Sequence, residues 1–305
     1  MFPTRRRTPG LVALAAACGA LLGAAACGSG DAGSNDGKVA IIGSFYPMAW
    51  VAERVAGSAG SVSTLTKPGA EPHDLELTPR QVVSVAEADL VVYIKGLQPA
   101  VDQAVDQHAK DKAIDTASLV KTLPITGVEG GTGGHDPHLW LDPTRLAAVA
   151  RAVGDRLAKA DPGHAAAYQS NTRTLVAELN TLDAEFRTGL RACEHKTIVT
   201  SHAAFAYLAD RYGLTQVSIA GIDPENEPSP GRLAALTEEI RKTGVTTVFT
   251  ETLVSPKVAQ TLAREAGVRT ATLDPIEGLP AGSKGDYLSV MRQNLQTLRT
   301  ALVCS

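Results

Sequence analysis

Aromatic side chains make up only 4% of the 305 residues, and there are just four cysteines. With few aromatics, Ala, Val and Leu must build the interior, so the core is expected to be aliphatic, packed from small-residue helices and β-branched strands. Neither sign of charge forms a long run: 29 basic and 32 acidic residues are interspersed, for a formal net charge of −3. That balance offers no basic stripe to a phosphate backbone and excludes nucleic acid as a partner. The H-E-x-x-H pattern of zinc hydrolases is also missing.

The N-terminus departs from this average. Arg5, Arg6 and Arg7 precede an apolar stretch, 11–26, that ends in small residues and Cys27. It falls short of the roughly 20 residues that span a bilayer and reads as a signal peptide over 1–26. Leu21-Leu22-Gly23-Ala24-Ala25-Ala26-Cys27 resembles a bacterial lipobox, whose cysteine is acylated to become the new N-terminus. Cys18 also follows three alanines, but cleavage there would leave Leu21 and Leu22 in the mature chain. Residues 27–37, rich in Gly, Ser, Asp and Asn, read as a lipidated cysteine and flexible tether. The remaining pair, Cys193 and Cys304, would lie in an oxidising compartment, and a disulfide between them is expected.

Strand-like apolar runs occur at 39–43, 61–66, 90–94 and 112–116, and the rhythm returns at 197–200, 216–220, 246–250 and 269–273. Strands alternating with helical segments predict an α/β protein of two similar lobes with mainly parallel four-stranded sheets. The first lobe is expected over 38–143, a long rigid connecting helix over 144–160, and the second lobe over 161–305. Asp142-Pro143 opens that helix and Asp161-Pro162 stops it.

Three of seven histidines stand beyond strand ends or in loops stiffened by proline. His73 lies in Glu71-Pro72-His73, His138 in Asp136-Pro137-His138-Leu139-Trp140-Leu141-Asp142-Pro143, and His202 just after the strand at 197–200. Asp274 follows the last strand and precedes Pro275. Ligands of open α/β sheets bind at that edge, so facing lobes would gather His73, His138, His202 and Asp274 between them. Three imidazoles and a carboxylate complete a tetrahedral zinc shell with no position left for a reactive water. Glu71, Asp136 and Glu251 are candidates to orient the imidazoles, and Trp140 to wall the site or pack the core. His135, near the glycine-rich 127–134 loop with Glu129, is expected to be solvated, as are His108, His164 and His195.

Over 38–305 the chain resembles the metal-binding branch of bacterial solute-binding lipoproteins that feed ABC transporters for zinc and manganese. The resemblance is carried by Ser44-Phe45-Tyr46-Pro47, Glu71-Pro72-His73, the string from Asp136 to Pro143, Ser201-His202-Ala203-Ala204-Phe205, Glu227-Pro228-Ser229-Pro230 and Leu273-Asp274-Pro275. It implies a metal between two lobes at His73, His138, His202 and Asp274. Manganese members commonly place Glu where His202 stands, so His202 points to zinc, Zn2+ being cargo and not a catalytic cofactor. The resemblance also implies a monomer outside the cytoplasm, held to the membrane by its lipid, delivering zinc to an ABC permease. Manganese binding, an adhesin-like surface lipoprotein and a secreted zinc hydrolase are the alternatives.

Overall fold

Short strands rich in β-branched residues organise this chain, with a central strand of each of its two sheets, Leu90–Tyr93 and Thr247–Thr250, buried along its whole length. The structure is a computed structural model and describes residues 37–126 and 134–305. The expected signal peptide, Cys27, the tether up to residue 36 and Glu129 lie outside the described residues. β1 (Val39–Gly43) pairs in parallel with β2 (Gly60–Thr64) and β3 (Leu90–Tyr93), and β3 pairs with β4 (Ala113–Asp115). The second sheet repeats the pattern with β5 (Thr197–Thr200), β6 (Thr215–Ser218), β7 (Thr247–Thr250) and β8 (Arg269–Thr272). The orders are β2-β1-β3-β4 and β6-β5-β7-β8. The parallel α/β expectation of two four-stranded lobes therefore holds, with each strand within one or two residues of its expected span.

Alternate residues of each central strand enter different cores. In β3, Leu90 and Val92 face the large core shared by both lobes, while Val91 and Tyr93 face a smaller one. The smaller core is covered by α2 (Pro79–Glu87) and α3 (Pro99–His108), which contribute Val85, Val101 and Val105. In the second sheet Ile198 and Phe249 join the shared core. Val199 and Val248 pack instead with Leu236, Ile240 and Leu262 of α7 (Pro230–Thr243) and α8 (Lys257–Ala266). Two-sided burial explains why these strands read as apolar runs and not as half-polar ones.

The expected connector is present as α4 (Pro143–Ala160), and a longer helix, α5 (Ala165–Leu190), packs along it. Gly154 permits their close approach, since a Cβ there would lie 2.2 Å from Thr172 Oγ1. At 1.5 Å per residue, α5 is about 39 Å long. It touches α1 (Tyr46–Ala56) beside the first sheet, and α6 (Ala206–Tyr212) and α9 (Tyr287–Ala301) beside the second. Trp50 of α1 also meets Tyr287 of α9, ring centroids 4.9 Å apart.

Helix starts follow the cap-then-proline signals in the sequence. The Asp142 carboxylate accepts from Thr144 N before Pro143, Ser229 caps Arg232 N before Pro230, and Thr78 with Gln81 forms a reciprocal capping box. Cys193 and Cys304 are disulfide-bonded, which ties the end of the chain to the segment entering β5.

Candidate metal centre

In each sheet the connections leave the two central strands, β1 and β3 or β5 and β7, toward opposite sides. That divergence opens a crevice beyond their carboxyl ends. His202 follows β5 and Glu251 follows β7, at this point of the second sheet. His73 comes from the loop between β2 and α2, and His138 from the turn leading into α4.

Carboxylates fix two of the three histidines by backbone and ring together. Asp136 Oδ1 accepts from His138 N at 2.8 Å and pairs with His138 Nδ1 at 2.8 Å. Glu251 accepts from His202 N at 3.0 Å and pairs with His202 Nδ1 at 2.8 Å. A carboxylate at Nδ1 calls for the proton there, which leaves the Nε2 lone pair free for a cation. The Glu71 carboxylate accepts instead from the backbone N–H of His73 and Asp74, so it shapes the loop, and it lies 3.9 Å from His73 Nε2.

All three Nε2 atoms converge on one carboxylate oxygen, Glu277 Oε1. The separations are 3.2 Å from His73, 3.2 Å from His138 and 3.1 Å from His202, and His138 Nε2 is 3.3 Å from His202 Nε2. A tetrahedral zinc with bonds of roughly 2.0–2.1 Å has ligand–ligand edges of about 3.3–3.4 Å. Four of the six edges are thus already near the length that zinc requires. The four side chains are buried, and among the described residues they form the group able to hold a metal ion. Glu277 Oε2 is buried without a hydrogen-bond partner, as expected of an atom whose natural partner is a cation.

Asp274 does not join this cluster. Its Oδ1 accepts from Ile276 N at 2.7 Å within the turn and its Oδ2 from Thr252 Oγ1 beyond β7 at 3.0 Å, so both oxygens are engaged. The carboxylate oxygen that lies among the three imidazoles belongs to Glu277, three residues later. Glu277 carries little signal in the sequence, being the second acid of the mixed segment 273–279.

Trp140 both packs the core and supports the site. It is fully buried, meets Phe45 edge-on at 4.9 Å, and donates Nε1–H to Pro275 O at 2.7 Å. His135, expected to be solvated, is half-buried, its backbone bridging to Pro124 and its Nε2 shielded from solvent. His164, as expected, is exposed and pairs with Asp161.

Burial and the neighbouring carboxylates set the charge states of the cluster. Burial, the largest influence on His202, opposes its charge, yet the Glu251 and Glu277 carboxylates outweigh it and hold the imidazole well above its ordinary range. His138 is raised in the same way: burial works against charge, and Asp136 and Glu277 overcome it. For His73 burial prevails over Glu277 and the imidazole is lowered. Burial also works against charge on Glu277, but His202 and the bonds from the histidines keep its carboxyl well below the usual range. Glu71 is pushed up to about 7, chiefly by burial.

The chain is similar to several known proteins. The family model described as ZnuA, zinc-uptake complex component A periplasmic, matches residues 41–301. Zinc-binding protein AdcA of Streptococcus pyogenes serotype M3 is 36% identical over 290 residues, covering 87% of this chain and 56% of AdcA, so the chain spans little more than half of that relative's length. High-affinity zinc uptake system protein ZnuA of Bacillus subtilis is 33% identical over 307 residues, covering 94% of this chain and 96% of the relative. The Zn(II)-bound ZnuA-like domain of Streptococcus pneumoniae AdcA superposes with a TM-score of 0.76 at 35% identity, covering 87% of this chain and 99% of the domain. The chain belongs to the ZnuA family.

Proposed function

We propose that the chain captures one zinc ion outside the cytoplasm at His73, His138, His202 and Glu277 and delivers it to an ABC permease. It acts as a monomer anchored by a lipid on Cys27 after removal of residues 1–26, with 27–37 as tether. One observation carries this reading: four buried donor atoms, three imidazole nitrogens and one carboxylate oxygen, stand at distances matching the edges of a zinc tetrahedron. An all-protein shell suits carriage, because a catalytic zinc keeps a position open for water or substrate. Nitrogen-rich ligation favours zinc over manganese, which prefers oxygen donors. Elemental analysis of protein purified without added metal is expected to find one zinc per chain. Deletion of the gene in its host should depress radioactive zinc uptake at limiting zinc. Manganese in place of zinc, or unchanged uptake in the deletion strain, would overturn the proposal.

Proton competition gives a second test. A proton and zinc compete for the same imidazole lone pair, and the metal-free protein holds His202 and His138 protonated to higher pH than an ordinary imidazole. Zinc affinity should therefore begin to fall above the ordinary histidine pKa of roughly 6.5 and steepen below it as His73 joins. Glu277, held anionic, competes with a proton only in more acidic solution. The stability of the metal-free protein runs the other way. A raised His202 pKa contributes stability that is fully present below the unfolded value and is lost as pH rises through the folded one. Chelator-competition titrations at pH 7.5 and at about pH 5.5 check the first effect, and an affinity independent of pH across that range contradicts histidine ligation.

A further inference from the structure

The segment from Asp274 to Glu277 is held by hydrogen bonds at every residue. Asp274 N donates to Asn294 Oδ1 at 2.9 Å, and Asn294 Nδ2 donates back to Asp274 O at 2.6 Å, in a reciprocal pair between the turn and α9. Pro275 O accepts from Trp140 Nε1 at 2.7 Å, and Ile276 N donates to Asp274 Oδ1 at 2.7 Å. Thr252 Oγ1 holds the second Asp274 oxygen at 3.0 Å. Ile276, a β-branched residue, is fully buried with φ +58°, in the left-handed region that such side chains avoid. A backbone in that conformation persists only where its surroundings over-determine it. What it achieves here is to reverse the chain just after Asp274, so that the next carboxylate, Glu277, enters the three-histidine cluster.

We infer that Asp274 is a positioning residue. Its carboxylate, as an Asx-type hydrogen-bond acceptor, holds Ile276 in the left-handed turn that presents Glu277 to zinc, and Asn294 and Trp140 lock that turn to α9 and to the His138 segment. The inference rests on the reading of Glu277 as a zinc donor. It separates two roles that one carboxylate could play at position 274. A donor to zinc needs the negative charge, whereas a turn holder needs only an acceptor for Ile276 N–H and a partner for Thr252, both of which an asparagine side chain supplies.

Four variants test it: D274N, D274A, D274A/I276G and E277A. The readouts are zinc affinity by chelator competition, the melting temperature of each metal-free protein, and the visible absorption of its cobalt(II) form. D274N should keep near wild-type zinc affinity and an unchanged cobalt spectrum. D274A should lose about 10- to 100-fold, the range for removing a residue that orients a metal ligand. D274A/I276G should recover most of that loss, because glycine adopts positive φ without help from the Asp274 side chain. Should D274A fail to fold, D274N still decides the matter by retained or lost affinity. D274N as weak as D274A, with an altered cobalt spectrum, would show that the charge itself is needed and overturn the inference. So would D274A at wild-type affinity while E277A is impaired. E277A at wild-type affinity would instead remove Glu277 from the shell, and the inference would fall with that reading.

Discussion

Alanine at His138 or His202 is expected to weaken zinc binding by about 100-fold or more. Four-ligand protein zinc sites carry roughly 10–16 kcal/mol of binding free energy, so one ligand's share is about 3 kcal/mol, and each 1.4 kcal/mol is tenfold in affinity. The loss here should exceed an even share, because each imidazole also neutralises a buried carboxylate. His138→Ala strands Asp136, and His202→Ala strands Glu251. A buried charge deprived of its partner costs stability as well as binding, so both variants should melt lower than wild type even without metal. Chelator-competition calorimetry on folded variants checks this. Wild-type affinity in either would contradict ligation by that histidine.

Removing the Cys193–Cys304 bridge should bring the largest loss of stability. The bonded residues are 111 apart in sequence. For a loop of that length the chain-entropy account gives about 4–5 kcal/mol, and removal of native disulfides typically costs roughly 2–5 kcal/mol. For a chain of this size that corresponds to a fall in Tm on the order of 10 °C. The tail is also held by backbone bonds, from His195 N to Leu302 O at 3.1 Å and from Ser305 N to Ala192 O at 3.0 Å, so the native ends should stay together after reduction. Zinc affinity should survive, since no thiolate lies among the donors. Thermal melts and zinc titrations of the C193S/C304S double variant test both halves. An unchanged Tm would refute the stabilising role, and lost zinc binding at a temperature where the variant is folded would refute the separation of bridge from site.

Most of the fold and three of the four converging donors were legible in the sequence because they obey local rules. The central strands are short apolar runs between turn residues, buried on both faces, and several helices begin at Asp-Pro, Ser-Pro and Thr-Pro pairs whose side chains cap them. His73 and His138 sit in proline-stiffened loops and His202 at a strand end, and Glu251 was legible as an orienting acid because it ends the neighbouring strand. Glu277 was not legible for the opposite reason. The path from β8 to Glu277 runs through Ile276 in the left-handed region, against the preference of a β-branched side chain. Its hydrogen bonds come from the Asp274 carboxylate and from Asn294 and Trp140, the last two distant in sequence. Local reading stopped at Asp274, the first acid past the strand. Tertiary hydrogen bonds turn that acid away and bring the next one in.

The central claim is that zinc is held by His73, His138, His202 and Glu277. A crystal structure of the zinc-loaded protein, with anomalous data at the zinc edge, tests it most directly. The account predicts one zinc peak bonded to three Nε2 atoms at roughly 2.0–2.1 Å and to Glu277 at roughly 2.0–2.2 Å, with Asp274 still on Ile276 N and Thr252. A zinc bound through Asp274, or through fewer than three of these imidazoles, would contradict it.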